Sequence, residues 1–486
     1  MKNVEVFTGR EVVKIDRDAR LIRCHDSERN REETYPFDRL VISTGSSPII
    51  PAIPGVNAPG VLTFTKADDA IALRTDLEAN RISKITIIGA GFVGLELCEA
   101  FRAMWGVDVD LVELQNRVLS GLVDTELSEI IEDEIRSHGV NIRLGCGCHE
   151  IVREGERFCI FDHAGGMFES DRIIIAAGVR PNVELAREAG LEIGVTGGIK
   201  VNSHLRTSDP DIYAAGDCVE LPDAVDGRAG SWTLGSLASR MGRVVGDNIC
   251  NGDSRFGPVV GTTVLKIFDI TIGSAGLTRT DCKDWGYEIN ECWGTFHDRL
   301  HYFPEAGPTR AKIIYDPTDG RILGFQAVSH GNIVHTLNIA SQIMRNSGTL
   351  DDLNDIEHAY SPPFAQQFET LHYLAFIAEN SRVAGVKLIS PAEFTSLPDE
   401  TLILDVRTKA EIEGRPLNGG TRRVIEIPVE ELRARLNEIP SAGKVVTVCQ
   451  MGGRGWDAAL MLRRAGFTDV GILAGGALFL PTGTAA

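Results

Sequence analysis

Residues 85–113, ITIIGAGFVGLELCEAFRAMWGVDVDLVE, decide how the rest of this 486-residue chain is read. The apolar, β-branched run 85–88 has the length and composition of a buried parallel strand. It leads directly into Gly89-Ala90-Gly91-Phe92-Val93-Gly94, the pattern G-x-G-x-x-G. A helix is expected next, with Phe92, Val93, Leu95, Leu97 and Phe101 as its apolar residues, and after Gly106 a second strand, 107–112, ends on Glu113. Each glycine serves a physical purpose. Gly89 allows the tight turn, Gly91 lets the backbone approach a pyrophosphate, and Gly94 lets the helix pack on the strand. The pyrophosphate is then met by the free N–H groups of the helix N-terminus. Glu113 lies where a carboxylate can hold both hydroxyls of an adenosine ribose, which favours NADH, while nearby Arg117 leaves NADPH open. A βαβ unit with glycines for packing alone would not explain the acid.

Working outward, the length predicts three or four domains. With 43% hydrophobic and 24% charged residues the composition is that of a soluble globular protein. A formal net charge of −19 argues against nucleic acid or an anionic membrane as the main partner. No signal peptide and no bilayer-length apolar run is found. Ten scattered cysteines form no disulfide framework and point to a reducing cytoplasm. Cys146-Gly147-Cys148-His149 reads as a strand-end loop, because one short turn supplies no closed tetrahedral set, and no metal site is expected. Cys98, at an apolar position of the helix, reads as core.

Before the motif, residues 4–8, 11–16 and 20–24 predict a small antiparallel meander. The strand 40–43 ends in Thr44-Gly45, and a proline-rich exit follows. Beyond the motif come RIIIAAGVRPN at 172–182 and TSDPDIYAAGDC at 207–218, whose strand 212–215 delivers Gly216 and Asp217 to its C-terminal edge. A helix is expected from near Leu237. Residues 264–277 are strand-rich, 310–328 read as a hairpin turning at Asp319-Gly320, and 333–345 read as a helix. Then comes HAYSPPFAQQF at 358–368.

In this order the segments resemble the pyridine nucleotide-disulfide oxidoreductase family, in particular its coenzyme A-disulfide reductase, NADH oxidase and persulfide reductase branch. The resemblance implies that Thr44 and Gly45 pass close to FAD, that Asp217 after Gly216 bonds the ribityl chain, and that Gly178 lies near the nicotinamide. It further implies a dimerisation domain, a homodimer, and a Tyr360 that reaches the active site of the partner subunit. The branch continues that motif with a basic-acidic-proline step, and this chain has Gln366-Gln367-Phe368 instead. Members also begin with a further G-x-G-x-x-G for FAD and a helix bearing a redox cysteine; this sequence starts at the following strand, so an incomplete FAD domain is expected.

Residues 379–386 read as a polar linker. Ser390 then caps a helix that has Pro391 at its first position, and LILDVR at 402–407 reads as a buried strand. In VVTVCQMGGRGWDAALMLRRAGF, 445–467, a strand ends at Cys449, a glycine-rich loop follows and a helix begins. This resembles a rhodanese domain, whose loop has the form C-x-x-G-x-R. Inward backbone N–H groups, the helix N-terminus and Arg454 suit an anionic sulfur on Cys449, thiolate or persulfide. The downstream LAGG, 473–476, completes the pattern.

The fold class expected is thus α/β: two Rossmann-like dinucleotide-binding domains, the FAD one incomplete, an α+β dimerisation domain, and a C-terminal α/β rhodanese domain. The boundaries expected are 1–67 with 200–255 for FAD, 68–199 for NAD, 256–380 for dimerisation and 387–486 for rhodanese. The function expected is FAD- and NADH-dependent reduction of a small disulfide, polysulfide or persulfide, with Cys449 carrying sulfur. A flavin-free sulfurtransferase acting through Cys449 is the alternative, and a plain NADH oxidase a further one.

Overall fold

The computed structural model describes residues 4–417, 419–440 and 443–481. The chain divides into two compact units, Met1–Ile49 with Gly178–Gly261, and Ile50–Ala177 with Thr262–Ala486.

In the first unit, strands Arg10–Asp16, Leu21–Asp26 and Arg31–Pro36 form an antiparallel meander. The expected strand at 4–8 is absent: Val4, Val6 and Phe7 are exposed, and the third position belongs to Arg31–Pro36. Buried Asp26 fixes the second turn, accepting hydrogen bonds from the N–H groups of Glu28 and Arg29 and an ion pair from Arg10 at 2.8 Å. Strand Leu40–Ile42 pairs in parallel with Ile212–Ala214, and the helix Gly235–Ile249 buries Leu237, Met241 and Val245 in the same core as Tyr213.

Among the described residues, the second unit contains three five-stranded sheets. The first is parallel throughout, in the spatial order Val61–Leu62, Arg172–Ile175, Lys84–Ile88, Asp108–Val112 and Asn141–Arg143. Its central strand is the run that opens the motif. Ile85 and Ile87 are fully buried there, each contributing about 1.5–3 kcal/mol of apolar burial. The helix Phe92–Glu99 widens into a π turn over Ala100–Met104 where one regular helix was expected. A three-stranded antiparallel sheet, Cys148–Glu154, Arg157–Asp162 and Met167–Ser170, adjoins it.

The second sheet is antiparallel, in the order Thr263–Ile267, Ile270–Gly276, Ile322–Ser329, Pro308–Tyr315 and Asn290–His297, covered by helices Val334–Arg345 and Thr370–Ala384. The predicted hairpin is the pair Pro308–Tyr315 and Ile322–Ser329. The predicted linker at 379–386 is corrected. Its residues continue the helix to Ala384, with Ala378 buried and Glu379 accepting from Asn354 at 2.8 Å, and Gly385 ends it in the left-handed conformation at φ 62°. The polar composition came from the exposed face of a helix.

The third sheet is parallel: Lys387–Ile389, Val470–Leu473, Val445–Val448, Leu402–Asp405 and Val424–Glu426. Ser390 caps helix Pro391–Thr395, accepting from the Glu393 N–H at 3.0 Å.

Helix Thr125–Ser137 is acidic on one side. Burial, with the negative charges of Glu132, Glu126 and Asp133, pushes the Glu129 carboxyl up to about 6. A raised acid favours the protonated native state, so its contribution is full below the unfolded value near 4.5 and is lost as pH rises through about 6. Glu129→Gln is therefore expected to stabilise the protein by ~1–2 kcal/mol at pH 7.5 and not at pH 4.5, in paired urea melts.

Candidate active site

The dinucleotide loop lies between Lys84–Ile88 and Phe92–Glu99. Gly89 has φ 115°, and a side chain there would meet the Ala176 carbonyl oxygen at 2.2 Å. A side chain on Gly94 would meet the Gly89 carbonyl oxygen at 1.9 Å. Both glycines are thus demanded by packing. Gly91 differs: a Cβ on it meets nothing within 4 Å, so this side of the loop is open, as backbone approach by a pyrophosphate requires. Glu113 stands at the mouth, its two oxygens accepting from the N–H groups of Ala90 at 2.7 Å and Gln115 at 2.8 Å. These residues fit NAD(P)H.

In the first unit the four residues expected at the flavin, Thr44, Gly45, Gly216 and Asp217, lie together, with Gly178, expected at the nicotinamide, on the adjoining ladder. Thr44 donates its hydroxyl to the Asn182 carbonyl at 2.6 Å, the Asn182 side chain returns a bond to the Thr44 carbonyl at 2.9 Å, and the Asn182 N–H bonds the Gly45 carbonyl at 2.9 Å. Gly178, exposed at φ 99°, accepts from the Ile49 N–H at 2.9 Å in the same ladder. Asp217 follows the strand Ile212–Ala214 and accepts the Ser46 hydroxyl at 3.1 Å. Gly45 and Gly216, at φ 66° and 89°, leave room beside it. This set fits the polyol end of FAD. Among the described residues of this unit, no strand–glycine loop–helix serves its pyrophosphate.

The thiol loop hangs between strand Val445–Val448 and helix Gly453–Arg464. Gly452, at φ 112°, turns the chain so that its own N–H donates to the Cys449 sulfur at 3.0 Å. Cys449 is 2% exposed, at the floor of the loop. The loop carbonyls point the other way: Cys449 accepts from the Ala477 N–H at 2.8 Å and Gln450 from the Leu478 N–H at 3.0 Å. Gly475 and Gly476, both left-handed, make that approach feasible, since a Cβ on Gly476 would lie 2.7 Å from the Cys449 oxygen. Arg454 donates to Glu411 at 2.5 Å, which raises the guanidinium's affinity for its proton. The same bond, reinforced by the N–H and hydroxyl of Thr408, holds the Glu411 carboxyl at about 2. Glu411 escaped sequence reasoning. Its capping box with Thr408 was legible, but its partner 43 residues onward was not.

Four other thiols lie buried in the core. Burial pushes Cys148 and Cys282 up to about 12, and raises Cys98 and Cys292 as well. They are inert core residues. Tyr360 is 42% exposed, on a loop that also exposes Phe364 and Phe368. Gln366 donates its side-chain amide to the His297 carbonyl, and its backbone carbonyl accepts from the His358 ring at 3.1 Å.

Known proteins resemble this chain in sequence and in fold. Residues 1–242 match the profile of the pyridine nucleotide-disulphide oxidoreductases, residues 262–372 that family's dimerisation domain, and residues 390–478 the rhodanese-like domain. The NAD(P)H sulfur oxidoreductase (CoA-dependent) of Pyrococcus abyssi is 36% identical over 77% of this chain and 82% of its own length. The NAD(P)H coenzyme A polysulfide/persulfide reductase of Pyrococcus horikoshii is 34% identical with the same coverage. Among solved structures, the NAD-dependent persulfide reductase of A. fulgidus superposes with a TM-score of 0.93 at 34% identity, over 99% of this chain and 86% of that one. Reduced CoADR-RHD of Bacillus anthracis gives 0.89 at 30% identity, over 98% and 84%. The chain belongs to the pyridine nucleotide-disulphide oxidoreductase family, with a rhodanese-like domain at its C-terminal end.

Proposed function

We propose that this protein reduces persulfide, polysulfide or disulfide sulfur at the expense of NAD(P)H, with coenzyme A-linked sulfur among its substrates, and that Cys449 carries sulfane sulfur. The observation that carries the reading is a complete thiol loop in one chain with an open dinucleotide loop. The substrate class comes from the sulfur-reducing relatives named above. FAD, when bound, relays the electron pair of NAD(P)H to sulfur.

Gly91 and the amides of its helix would receive the pyrophosphate of NAD(P)H, with Gly89 and Gly94 shaping the loop and Glu113 exchanging its Ala90 contact for the ribose hydroxyls. Asp217 and Gly216, with Thr44 and Gly45, would hold the flavin end of FAD, and Gly178, in the adjoining ladder, would lie near the nicotinamide. At the thiol loop, the Cys449 sulfur attacks the outer sulfur of a persulfide. The donor S–S bond breaks, a new S–S bond forms on Cys449, and the donor leaves as a thiolate. The Gly452 N–H and Arg454 stabilise the resulting anionic terminal sulfur. The net reduction is R–S–S⁻ + NAD(P)H → R–S⁻ + HS⁻ + NAD(P)⁺, balanced in atoms and charge.

The domain boundaries expected from sequence belong to the same proposal. Tyr360 would act across a homodimer, and ten free cysteines suit a reducing cytoplasm. No helix among the described residues is long and apolar enough to cross a membrane. A second reading, a flavin-free sulfurtransferase, draws on the completeness of the thiol loop beside the partial FAD fit. Sulfide release from polysulfide by the FAD-supplemented chain separates the two: dependence on NADH supports the reductase, and sulfur transfer that ignores NADH and FAD supports the alternative.

A further inference from the structure

We infer that Thr295 and Arg310, on the antiparallel sheet of the dimerisation region, are positioning residues for the Cys449 loop of the rhodanese-like domain. This deepens the sulfur-carrier reading of Cys449 and rests on it.

A chain of hydrogen bonds connects them. Among the described residues, the one N–H that donates to the Cys449 sulfur is that of Gly452, at 3.0 Å. Its aim depends on the loop backbone being turned so that carbonyls face away from the sulfur. Those carbonyls are held by the amides of Ala477 and Leu478, at 2.8 and 3.0 Å. The segment supplying these amides is one short helical turn, Ala477–Phe479. It is entered through Gly475 and Gly476, both left-handed, which offer no side chain to brace it. The brace comes from outside the domain. Thr295, buried on strand Asn290–His297, donates its hydroxyl to the Gly475 carbonyl at 2.7 Å. Arg310, buried on strand Pro308–Tyr315, donates its Nε to the Leu478 carbonyl at 2.7 Å.

The two strands are neighbours, with Thr295 directly opposite Arg310 in the ladder. The two donors therefore form one rigid fork. Arg310 is the more telling of the two. Its Nη1 is buried without a hydrogen-bond partner, and among the described residues no carboxylate lies within ion-pair distance of it. The carboxylates of Glu134 and Asp133 act on it only from beyond ion-pair distance, so its burial is not offset by a close pair and costs stability, and a fold need not place it there merely to fill space. Its firm contact is the carbonyl of Leu478, one residue beyond the Ala477 amide that holds Cys449. Sulfane-sulfur chemistry requires the loop amides within a few tenths of an ångström of their working positions. The neighbouring sheet adds two fixed anchors to a segment otherwise held by its own short helical turn.

The test uses the full chain. Thr295→Val keeps shape and removes only the hydroxyl donor; Thr295→Ser restores it; Arg310→Met removes the second donor. Sulfur transfer from thiosulfate to cyanide and the rate of iodoacetamide alkylation at Cys449 are measured, with NADH binding and urea melts as controls. Thr295→Val is expected to lower kcat about tenfold, the scale of one lost transition-state hydrogen bond, with KM for thiosulfate within about twofold of the parent. It should slow Cys449 alkylation, and Thr295→Ser should recover both. Arg310→Met should act in the same direction. Unchanged kcat and alkylation in Thr295→Val and Arg310→Met would overturn the inference, even if the melts show lost stability, and so would equal losses in the valine and serine variants. Alkylation reads the loop without needing turnover. If the parent transfers no sulfur yet alkylation responds as described, the carrier reading fails and the positioning stands. If a variant does not fold, the serine variant and Arg310→Lys decide by the same readouts.

Discussion

Cys449→Ser is expected to lower sulfur transfer from thiosulfate or polysulfide by at least about a thousandfold, because a serine hydroxyl neither ionises readily nor retains sulfane sulfur. The loop should survive the change. The carbonyls of residues 449 and 450 keep their bonds to Ala477 and Leu478, and the Gly452 N–H can donate to an oxygen as it does to sulfur. NADH binding at Gly91 should be unaltered, since the dinucleotide loop belongs to a different sheet. The result also separates chemistries. A sulfur reductase or sulfurtransferase loses transfer, whereas a protein whose business is oxidation of NADH by oxygen would keep full activity. Measuring both rates on one preparation makes the comparison internal, and retention of sulfur transfer in the serine variant would remove Cys449 from the mechanism.

The second large effect is on stability. Lys312 is fully buried on strand Pro308–Tyr315, and its ammonium contacts Asp124 at 2.6 Å and Glu291 at 2.5 Å, with Glu126 at 3.9 Å. Arg279 shares Glu126 and Glu291, and Gln326 adds a bond to Asp124 at 3.0 Å. Two cations thus face three carboxylates in a place largely closed to solvent. Lys312→Met keeps volume but leaves three anions with one cation, and breaking a buried pair in this way costs about 3–5 kcal/mol. The midpoint of urea unfolding should fall accordingly. Adding Asp124→Asn should return part of the loss, because the group left without its cation is then neutral. A loss below about 1 kcal/mol would show that the network is not dry.

Much of this was readable in advance where chemistry is local. The strand 85–88, the spacing of Gly89, Gly91 and Gly94 and the acid at Glu113 are all confined to one βαβ unit, so periodicity and turn chemistry suffice. The same holds for Cys449 to Arg454, a strand, a loop and a helix in succession. What escaped was non-local. Residues 379–386 look like a linker because the exposed face of a terminal helix is polar, and only the burial of Ala378 reveals its inner side. The run at 4–8 has strand composition but no partner, whereas Arg31–Pro36, rich in charge, is a strand because Leu21–Asp26 offers it an edge. Glu411 and Thr295 are ordinary in sequence. Their roles come from partners 43 and 180 residues away, and spacing rules carry no information at that range.

The claim that this chain reduces sulfur with flavin and NAD(P)H is tested most directly by visible absorbance. The purified chain is incubated with FAD, passed through gel filtration, and titrated without oxygen, first with NADH and then with polysulfide. A flavin band that co-elutes with the protein, bleaches on NADH and returns on polysulfide as sulfide is released is the result predicted. Protein that emerges without flavin, and that neither consumes NADH nor releases sulfide when polysulfide is added, would contradict it.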